Sequence, residues 1–256
     1  MATPPLADRM YCWELMATEH PLLPAVRDLY ESALAEEERI PWGWLERAVR
    51  SRAEWRPGGW GKHLLVAAPK PRAERPEDLA GFAYAVHLPG FGGYIGYVAV
   101  AEAFRKRGVG GRLFEQSFQL LATDASAVDE DLPFVIWESR KPDANAPAKE
   151  WKIWDARLKL FANAGGFWLD GVTLWSPNWN DPAAPPVPLQ LFLTPVDEPR
   201  ERFDDERLSE IVAGFLKRVY KASPGDDTWE RAFAGVARLR LRPPLAAARR
   251  RDLVSA

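Results

Sequence analysis

The sequence predicts an α/β (α+β) protein that carries a helical extension at its C-terminus. Strand-like and helix-like runs follow one another in mixed order up to about residue 195. Beyond residue 197 the pattern changes to helices that open on capping aspartates. The hydrophobic content of 47% and the charged content of 27% are those of an ordinary soluble globular protein. We therefore predict one domain at residues 1–196 and an extension with a basic tail at residues 197–256.

The first half of the chain is predicted to contain four strands and three helices. Short apolar runs bounded by turn residues indicate strands, and apolar residues three and four positions apart indicate helices. The predicted strands are residues 10–16, 63–68, 79–88 and 94–100. The predicted helices are residues 20–35 and 41–52, both opened by prolines, and residues 113–122. The resulting order of elements is β-α-α-β-β-β-α.

The alternation continues in the second half. Residues 133–139 are predicted to form a strand that is buried on both faces, because Phe134-Val135-Ile136-Trp137 is continuously apolar. Residues 148–164 are predicted to form a helix, which stops at the C-cap signal Gly165-Gly166. Two last strands are predicted at residues 167–175 and 189–195.

The extension is predicted to contain two helices. Asp204 or Asp205 caps a first helix that runs to about Tyr220, and Asp227-Thr228 caps a second helix. The first helix has an apolar stripe, which favours docking on the core over a free partner site. The stripe consists of Leu208, Ile211, Phe215 and Val219. Arg249–Arg251 is predicted to be a frayed basic tail.

One glycine-rich turn carries the strongest functional signal. Arg105-Lys106-Arg107-Gly108-Val109-Gly110-Gly111 lies between a predicted strand and a predicted helix, and Arg112 follows it. Glycines let the backbone turn sharply and approach a ligand closely. The unpaired N–H groups of a helix's first turn point at an anion, aided by the helix dipole. Since basic side chains surround the same turn, the predicted ligand carries phosphates.

Two other nucleotide-binding motifs do not fit these residues. The dinucleotide fingerprint needs three glycines spaced G-x-G-x-x-G, and Gly108, Gly110 and Gly111 miss that spacing. The Walker-type loop needs Ser or Thr after its Gly-Lys step, but His63 follows Gly61-Lys62. Both motifs are therefore excluded.

The turn and its flanks resemble the signature of the GNAT acyltransferase superfamily. In that family, [Arg/Gln]-x-x-Gly-x-[Gly/Ala] binds the pyrophosphate of acetyl-CoA between the fourth strand and the third helix. Arg105, Gly108 and Gly110 occupy the three defining positions. Val100 matches the apolar residue that ends the strand, and Phe104 matches the aromatic residue before the arginine. A basic helix start with another ligand, or with none, is the alternative.

The resemblance spans about residues 10–195, and it implies a mixed, mostly antiparallel sheet flanked by helices, with acetyl-CoA as the acyl donor. The residues expected to bind the donor lie at the end of the fourth strand and in the turn after it. They are Val98, Ala99, Val100, Arg105, Lys106, Arg107, Gly108, Val109, Gly110, Gly111 and Arg112. A backbone N–H of residues 98–100 would polarise the thioester carbonyl and stabilise the oxyanion of the tetrahedral intermediate.

The acceptor amine must lose a proton before it attacks. Glu138, at the end of the fifth predicted strand, is the candidate catalytic base. Its other interpretation is a strand-end residue that pairs with Arg140 or Lys141. Glu102, two residues past the fourth strand, is a poorer candidate. His87 is predicted to be structural, because antiparallel pairing places it at the start of the fourth strand, far from the thioester.

One position departs from the family. Many members place a Tyr in the fourth helix, four residues before a Gly, where its hydroxyl protonates the departing thiolate. Counting back from Gly165 and Gly166 gives Phe161 and Ala162, which have no hydroxyl. Three functions therefore stay open. They are an N-acetyltransferase in which a primary amine attacks directly in a ternary complex, a non-catalytic acyl-CoA binding or sensing protein, and a tryptophan-rich interaction protein.

Composition limits the partners and the compartment. The net charge of -2 argues against a nucleic-acid partner. No apolar run approaches the roughly 18 residues of a membrane span, and the N-terminus lacks the layout of a secretion signal, so we expect a cytoplasmic protein without membrane contact. Cys12 is the only cysteine, which rules out an internal disulfide and a Cys-based zinc cluster, and no metal site is predicted.

The acceptor is predicted to be a small-molecule or peptide amine. In the family, the acceptor wall is built around the first two helices, where several tryptophans of this chain fall: Trp42, Trp44, Trp55 and Trp60. Most of the 12 tryptophans are nevertheless expected in the core. Glu36-Glu37-Glu38 would attract a cationic acceptor, although adjacent glutamates are more often simply solvated. A homodimer is left open as the oligomeric state.

Overall fold

The computed structural model describes residues 10–244 and divides the chain into two compact units. Among the described residues, the first unit comprises residues 10–135 and Asn178–Pro185, and the second comprises Ile136–Pro177 and residues 186–244. The predicted basic tail at Arg249–Arg251 lies outside the described residues. Across residues 10–244, no helix has the length and the apolar character that a membrane span requires. The predicted domain boundary after residue 196 stays a prediction.

The first unit contains four antiparallel strands in the order β1-β2-β3-β4. The strands are β1 (Tyr11–Glu14), β2 (Gly61–Ala68), β3 (Gly81–Leu88) and β4 (Gly92–Val100). The helices are α1 (Leu22–Ala33), α2 (Trp42–Ala53) and α3 (Val109–Ser126). The predicted order of these elements is confirmed. α3 begins at the turn itself, before its predicted start, because glycine is a weak helix former and hides the periodic signal there.

Helices cover both faces of the central strands of this unit. Leu113 of α3 packs in one apolar cluster with Leu65 and Ala83. Tyr30 of α1 instead packs edge-on against Phe82, with ring centroids 6.1 Å apart. Since Phe82 and Ala83 are neighbours in β3, their side chains point to opposite faces of the sheet. α1 and α3 therefore lie on opposite faces, and every residue of β3 is buried.

β4 carries an irregularity just before the segment that is predicted to face the thioester. Tyr84 of β3 pairs with Tyr97, but Ala85 pairs with Ile95. Gly96 is therefore an extra residue on β4. Such a bulge bends the strand and increases its local twist, so the bulge sets the direction of the last residues of β4.

The second unit combines an open set of strands with three helices. The strand order is β5-β8-β6-β9, and β7 pairs with β8. The strands are β5 (Phe134–Ser139), whose first two residues belong to the first unit, β6 (Phe167–Asp170), β7 (Leu174–Ser176), β8 (Val187–Pro195) and β9 (Arg240–Arg242). The helices are α4 (Ala148–Asn163), α5 (Asp205–Phe215) and α6 (Asp227–Phe233).

Three details of this unit differ from the prediction. Residues 167–175 form two strands rather than one, because Gly171 adopts a φ of +99° and ends the extended run. α6 begins at Asp227, so Asp227 is in the helix, and Asp226 stands at the N-cap position without a capping side-chain hydrogen bond. β9 was not predicted, because three residues with two charges carry no periodic signal.

The first helix of the extension changes its period at its end. Asp204 caps α5 by accepting a hydrogen bond from the Arg207 N–H at 2.9 Å, as one of the two predicted caps. A π-helical turn, Leu216–Tyr220, then follows α5 directly. Because a π-turn bonds each residue to the fifth one along, the apolar stripe shifts. The predicted stripe residue Val219 is only half-buried, and Tyr220 is buried in its place.

Candidate functional site

The predicted phosphate-binding residues lie together in one turn of the first unit. β4 ends at Val100, a 3₁₀ turn spans Glu102–Phe104, and Gly108 stands at the N-cap of α3. Gly108 has a φ of +77°, which glycine adopts without steric cost. A Cβ built on Gly108 or Gly111 would meet no atom within 4 Å. The backbone of the turn is therefore open to a ligand.

The start of α3 presents backbone donors to that open space. The first intrahelical hydrogen bond runs from the Arg112 N–H to the Gly108 carbonyl at 3.1 Å. The N–H groups of Val109, Gly110 and Gly111 precede this bond, and N–H groups at that position in a helix have no intrahelical acceptor. No acidic side chain stands in the first turn to compete with an anion. These amides therefore suit a pyrophosphate.

Basic side chains surround these amides. Four basic side chains are exposed there: Arg105, Lys106, Arg107 and Arg112. Arg105 donates from Nε to the Val100 carbonyl at 3.4 Å, and the Arg107 guanidinium lies 5.6 Å from the ring centroid of Phe104. Exposed contacts of this kind contribute little energy. The side chains can therefore rearrange around an anion at small cost.

Buried apolar residues fix the turn to the sheet of the first unit. Val109 and Leu113 belong to the same cluster as Leu65, Ala67 and Ala83 of the sheet. These two residues of α3 are 1% and 0% exposed. A site whose backbone is fixed by a packed core keeps its donors in one geometry. The turn therefore combines a fixed backbone with exposed charged side chains.

The last residues of β4 direct their amides alternately to the two edges of the strand. The Ala101 N–H donates to the Ala80 carbonyl at 2.9 Å, towards β3. Since the N–H groups of successive strand residues alternate, the Ala99 N–H also points towards β3. The N–H groups of Val98 and Val100 then point to the other edge. Val98 and Val100 are therefore the candidate oxyanion donors of the segment.

Glu138 lies in the second unit, one residue before the end of β5, and is half-buried. Its carboxylate accepts a hydrogen bond from the Tyr220 hydroxyl, a contact that the sequence did not indicate. Lys141, one of the two alternative partners, places Nζ 5.7 Å from the ring centroid of Trp168. Glu138 is therefore held by the C-terminal extension.

Phe161 stands in α4 where the family is expected to place its Tyr, and it belongs to the aromatic core of the second unit. Phe161 is buried, and its ring centroid lies 4.7 Å from that of Phe192 and 5.5 Å from that of Trp137. A ring packed in this way excludes water and offers no proton. The departing thiolate therefore receives no proton from this position.

Two tyrosine hydroxyls fix the connection between α1 and α2, where the acceptor wall is expected. Tyr30 donates to the Ile40 carbonyl at 2.8 Å. The Tyr97 hydroxyl accepts from the Ile40 N–H at 3.0 Å and donates to the Glu38 carbonyl at 3.1 Å. The connection is therefore tied to β4, which carries Tyr97. Of the tryptophans expected there, Trp44 packs against Trp179 with centroids 5.3 Å apart.

Two other reactive side chains have surroundings that favour their neutral forms. His87 is buried and pairs with Gly93, at the start of β4, as the antiparallel hairpin predicts. Burial lowers the pKa of His87, which keeps the imidazole neutral. Burial also raises the pKa of the Cys12 thiol, so Cys12 is a poor nucleophile.

Part of the chain is similar to a known family. Residues 23–132, which contain the turn, match the model of the acetyltransferase (GNAT) family. A solved protein from Bacteroides thetaiotaomicron assigned to the GNAT family is 14% identical, with a TM-score of 0.54 over 83% of this chain and 99% of its own. The fold is therefore that of GNAT proteins, which confirms a mixed, mostly antiparallel sheet flanked by helices. The chain contains a GNAT acetyltransferase domain at residues 23–132.

Two further solved structures are similar to the chain at lower TM-scores. The acetyltransferase of the GNAT family from Streptococcus pneumoniae is 11% identical, with a TM-score of 0.46 over 73% of this chain and 99% of its own. A protein of the acetyltransferase class from Salmonella typhimurium, solved with its cofactor acetyl-CoA, is 14% identical, with a TM-score of 0.44 over 74% and 95%. No curated protein matches the sequence.

Proposed function

We propose that this protein is an acetyl-CoA-dependent N-acyltransferase that moves an acetyl group to a primary amine by direct attack in a ternary complex. The observation that carries the proposal is the open turn at the start of α3. Arg105, Gly108 and Gly110 match the phosphate-binding signature within the region of the family domain, and the amides and the four basic side chains of the turn suit a pyrophosphate. The same turn supports acetyl-CoA as the acyl donor.

Two groups are proposed for the chemistry. A backbone N–H of Val98 or Val100 donates to the thioester oxygen, where negative charge develops as the amine attacks. Glu138 accepts the proton that the ammonium form of the acceptor must lose. The thiolate then leaves without a proton from Phe161, which a thiol of modest pKa tolerates. The nitrogen, which is positively charged after the attack, loses its second proton to the departed thiolate or to solvent as the amide forms. The other residues predicted to bind the donor, which are Ala99 and residues 105–112, hold it in place.

A second function has one specific observation in its favour. Because a buried Phe161 replaces the usual acid, the chain could bind acyl-CoA without turning it over. Such a protein would bind or sense acyl-CoA. It would keep the turn and its affinity for CoA, but it would release no free thiol.

The proposed acceptor is a small-molecule or peptide amine. The connection between α1 and α2 offers aromatic walls at Trp42 and Trp44, and a 3₁₀ turn, Glu36–Glu38, adds three glutamates to the same connection. An acidic rim beside aromatic walls suits a cationic amine. We also propose a cytoplasmic location, where acetyl-CoA is available.

Release of free thiol from acetyl-CoA over a panel of primary amines tests the function directly. The panel contains polyamines, amino sugars, lysine peptides and peptides with free N-termini. We expect thiol release above the rate of hydrolysis with at least one class, and mass spectrometry should show one acetyl group on that amine. Tight binding of CoA with no transfer to any amine would support the non-catalytic function.

Replacement of Gly110 by Val is expected to abolish binding of CoA, because the branched side chain blocks the approach of the pyrophosphate to the backbone. Isothermal titration calorimetry with CoA measures the effect. The matched control is Gly43→Val, in the first turn of α2, where a Cβ meets its nearest atom at 3.7 Å. Parent-like affinity in Gly110→Val would remove the turn as the binding site.

A further inference from the structure

Tyr220 links the C-terminal extension to the proposed catalytic base. Its hydroxyl donates to the Glu138 carboxylate. The side chain is 6% exposed, and its ring packs edge-on against Phe215 with centroids 5.3 Å apart. A buried phenol needs a hydrogen-bond partner, and here the partner is an acid that lies more than 80 residues earlier in the chain. Both residues belong to the second unit.

The backbone places Tyr220 on this contact by a local change of helix type. In a continued α-helix, Val219 would follow Phe215 on the buried face after four residues. The π-turn Leu216–Tyr220 adds one residue, so Tyr220 takes the buried position. Lys221 then adopts a φ of +59° and ends the turn. π-turns cost helical regularity and occur frequently at functional sites.

We propose that Tyr220 is a positioning residue for Glu138, which holds the carboxylate in one orientation and favours its charged form. The role rests on the proposed function, in which Glu138 accepts a proton. A hydrogen bond to a carboxylate stabilises the charged state over the protonated state. It also removes rotamer freedom from a side chain that must meet the acceptor in one geometry. Tyr220 keeps its own proton throughout, and only Glu138 gains one.

Tyr220→Phe removes the hydroxyl and keeps the ring. We expect kcat to fall about 10- to 100-fold, the loss that corresponds to one hydrogen bond to a charged group. The acid limb of the pH profile of kcat/KM should move to higher pH, since a carboxylate without this donor is protonated more easily. KM for acetyl-CoA should stay the same. Tyr11→Phe, in β1 of the first unit, is the matched control and should leave all three quantities unchanged.

A nearly isosteric change in the opposite direction separates positioning from packing. Substitution of Tyr220 by 3-fluorotyrosine gives a stronger hydrogen-bond donor with almost the same shape. The acid limb should then move to lower pH, whereas a merely structural side chain would leave it in place. This second variant also covers the case in which Tyr220→Phe fails to fold.

A double-mutant cycle with Glu138→Gln completes the test. If Tyr220 acts through Glu138, Tyr220→Phe should cost little in the Glu138→Gln background. A full additional loss there, or an acid limb that neither Tyr220 variant moves, would overturn the inference while acetyl transfer by the parent stands. A parent that binds CoA but transfers to no amine would overturn the proposed function, and the positioning role with it.

Discussion

Replacement of Arg52 by Met is expected to lower the free energy of unfolding by about 3–5 kcal/mol, because it breaks a buried network of four charges. Arg52 lies between two carboxylates, with Nε 3.1 Å from Glu14 and Nη2 3.0 Å from Asp124. The same two carboxylates contact His63, through Nδ1 at 2.8 Å and Nε2 at 2.9 Å. His63 and Asp124 are 0% and 1% exposed. Without the guanidinium, the buried Asp124 and the largely buried Glu14 would share one cation.

The geometry favours a charged imidazole. A neutral imidazole carries one N–H, but both nitrogens of His63 face carboxylate oxygens, and only the charged ring donates to two ionised carboxylates. Burial alone lowers the pKa of His63, yet the hydrogen bonds to Asp124 and Glu14 outweigh it and raise the pKa overall. For Asp124, burial raises the pKa, while His63 and Arg52 lower it overall. With two acids and two cations, the cluster is neutral.

These shifts fix how stability depends on pH. Folding raises the pKa of His63, so its contribution to the free energy of unfolding is complete below the pKa of an unfolded His, about 6.5. That contribution is lost as the pH rises through the higher pKa of the folded state. Folding lowers the pKa of Asp124, so its contribution to the free energy of unfolding is complete above the pKa of an unfolded Asp, about 4. That contribution is lost as the pH falls below this value. The contribution of the cluster should therefore be largest between about pH 4 and pH 6.5.

Chemical denaturation from pH 4 to pH 9 measures the loss of stability in Arg52→Met and the pH dependence of the free energy of unfolding. The matched control is Arg50→Met on the same helix. Arg50 is exposed, and its Nη2 lies 3.9 Å from Oε1 of Glu46. That variant should lose less than about 1 kcal/mol. Equal losses in Arg52→Met and Arg50→Met would show that the network contributes no more than a surface pair.

His63→Gln should abolish the fall in stability above about pH 6.5.

The sequence predicted the phosphate-binding turn because all of its determinants are local. Arg105, Gly108 and Gly110 are close neighbours, and the flanking strand and helix have clear periods. The charged cluster gave no such signal, since Glu14, His63 and Asp124 come from distant elements. Only the register of β2 and the packing of α3 bring them together. A Cβ on Gly61 would lie 1.6 Å from Asp124 Oδ2, so this close packing also requires a glycine.

Tyr220 could not be predicted for a different reason. Its place depends on one π-turn, and sequence periodicity assumes a constant number of residues per turn. The helix that ends near Tyr220 was predicted, but the buried face at its end was assigned to Val219. One extra residue in the turn thus changed which side chain reaches Glu138.

Glu138→Gln is expected to lower turnover by about 10² to 10⁴ while leaving the affinity for acetyl-CoA nearly intact. The amide keeps the size of the side chain and removes its basicity. The loss should shrink as pH rises towards the pKa of the acceptor amine, because free amine needs no base. Steady-state kinetics across that pH range, together with calorimetry for CoA, measure the two effects separately.

Glu150→Gln is the matched control for that variant, because Glu150 is an exposed residue in the first turn of α4. It should leave turnover unchanged at every pH. A loss in Glu138→Gln that does not depend on pH would point to binding of the acceptor by the carboxylate rather than to deprotonation. Unchanged turnover at all pH values would exclude Glu138 as the base and favour a chain of water molecules that leads the proton to solvent.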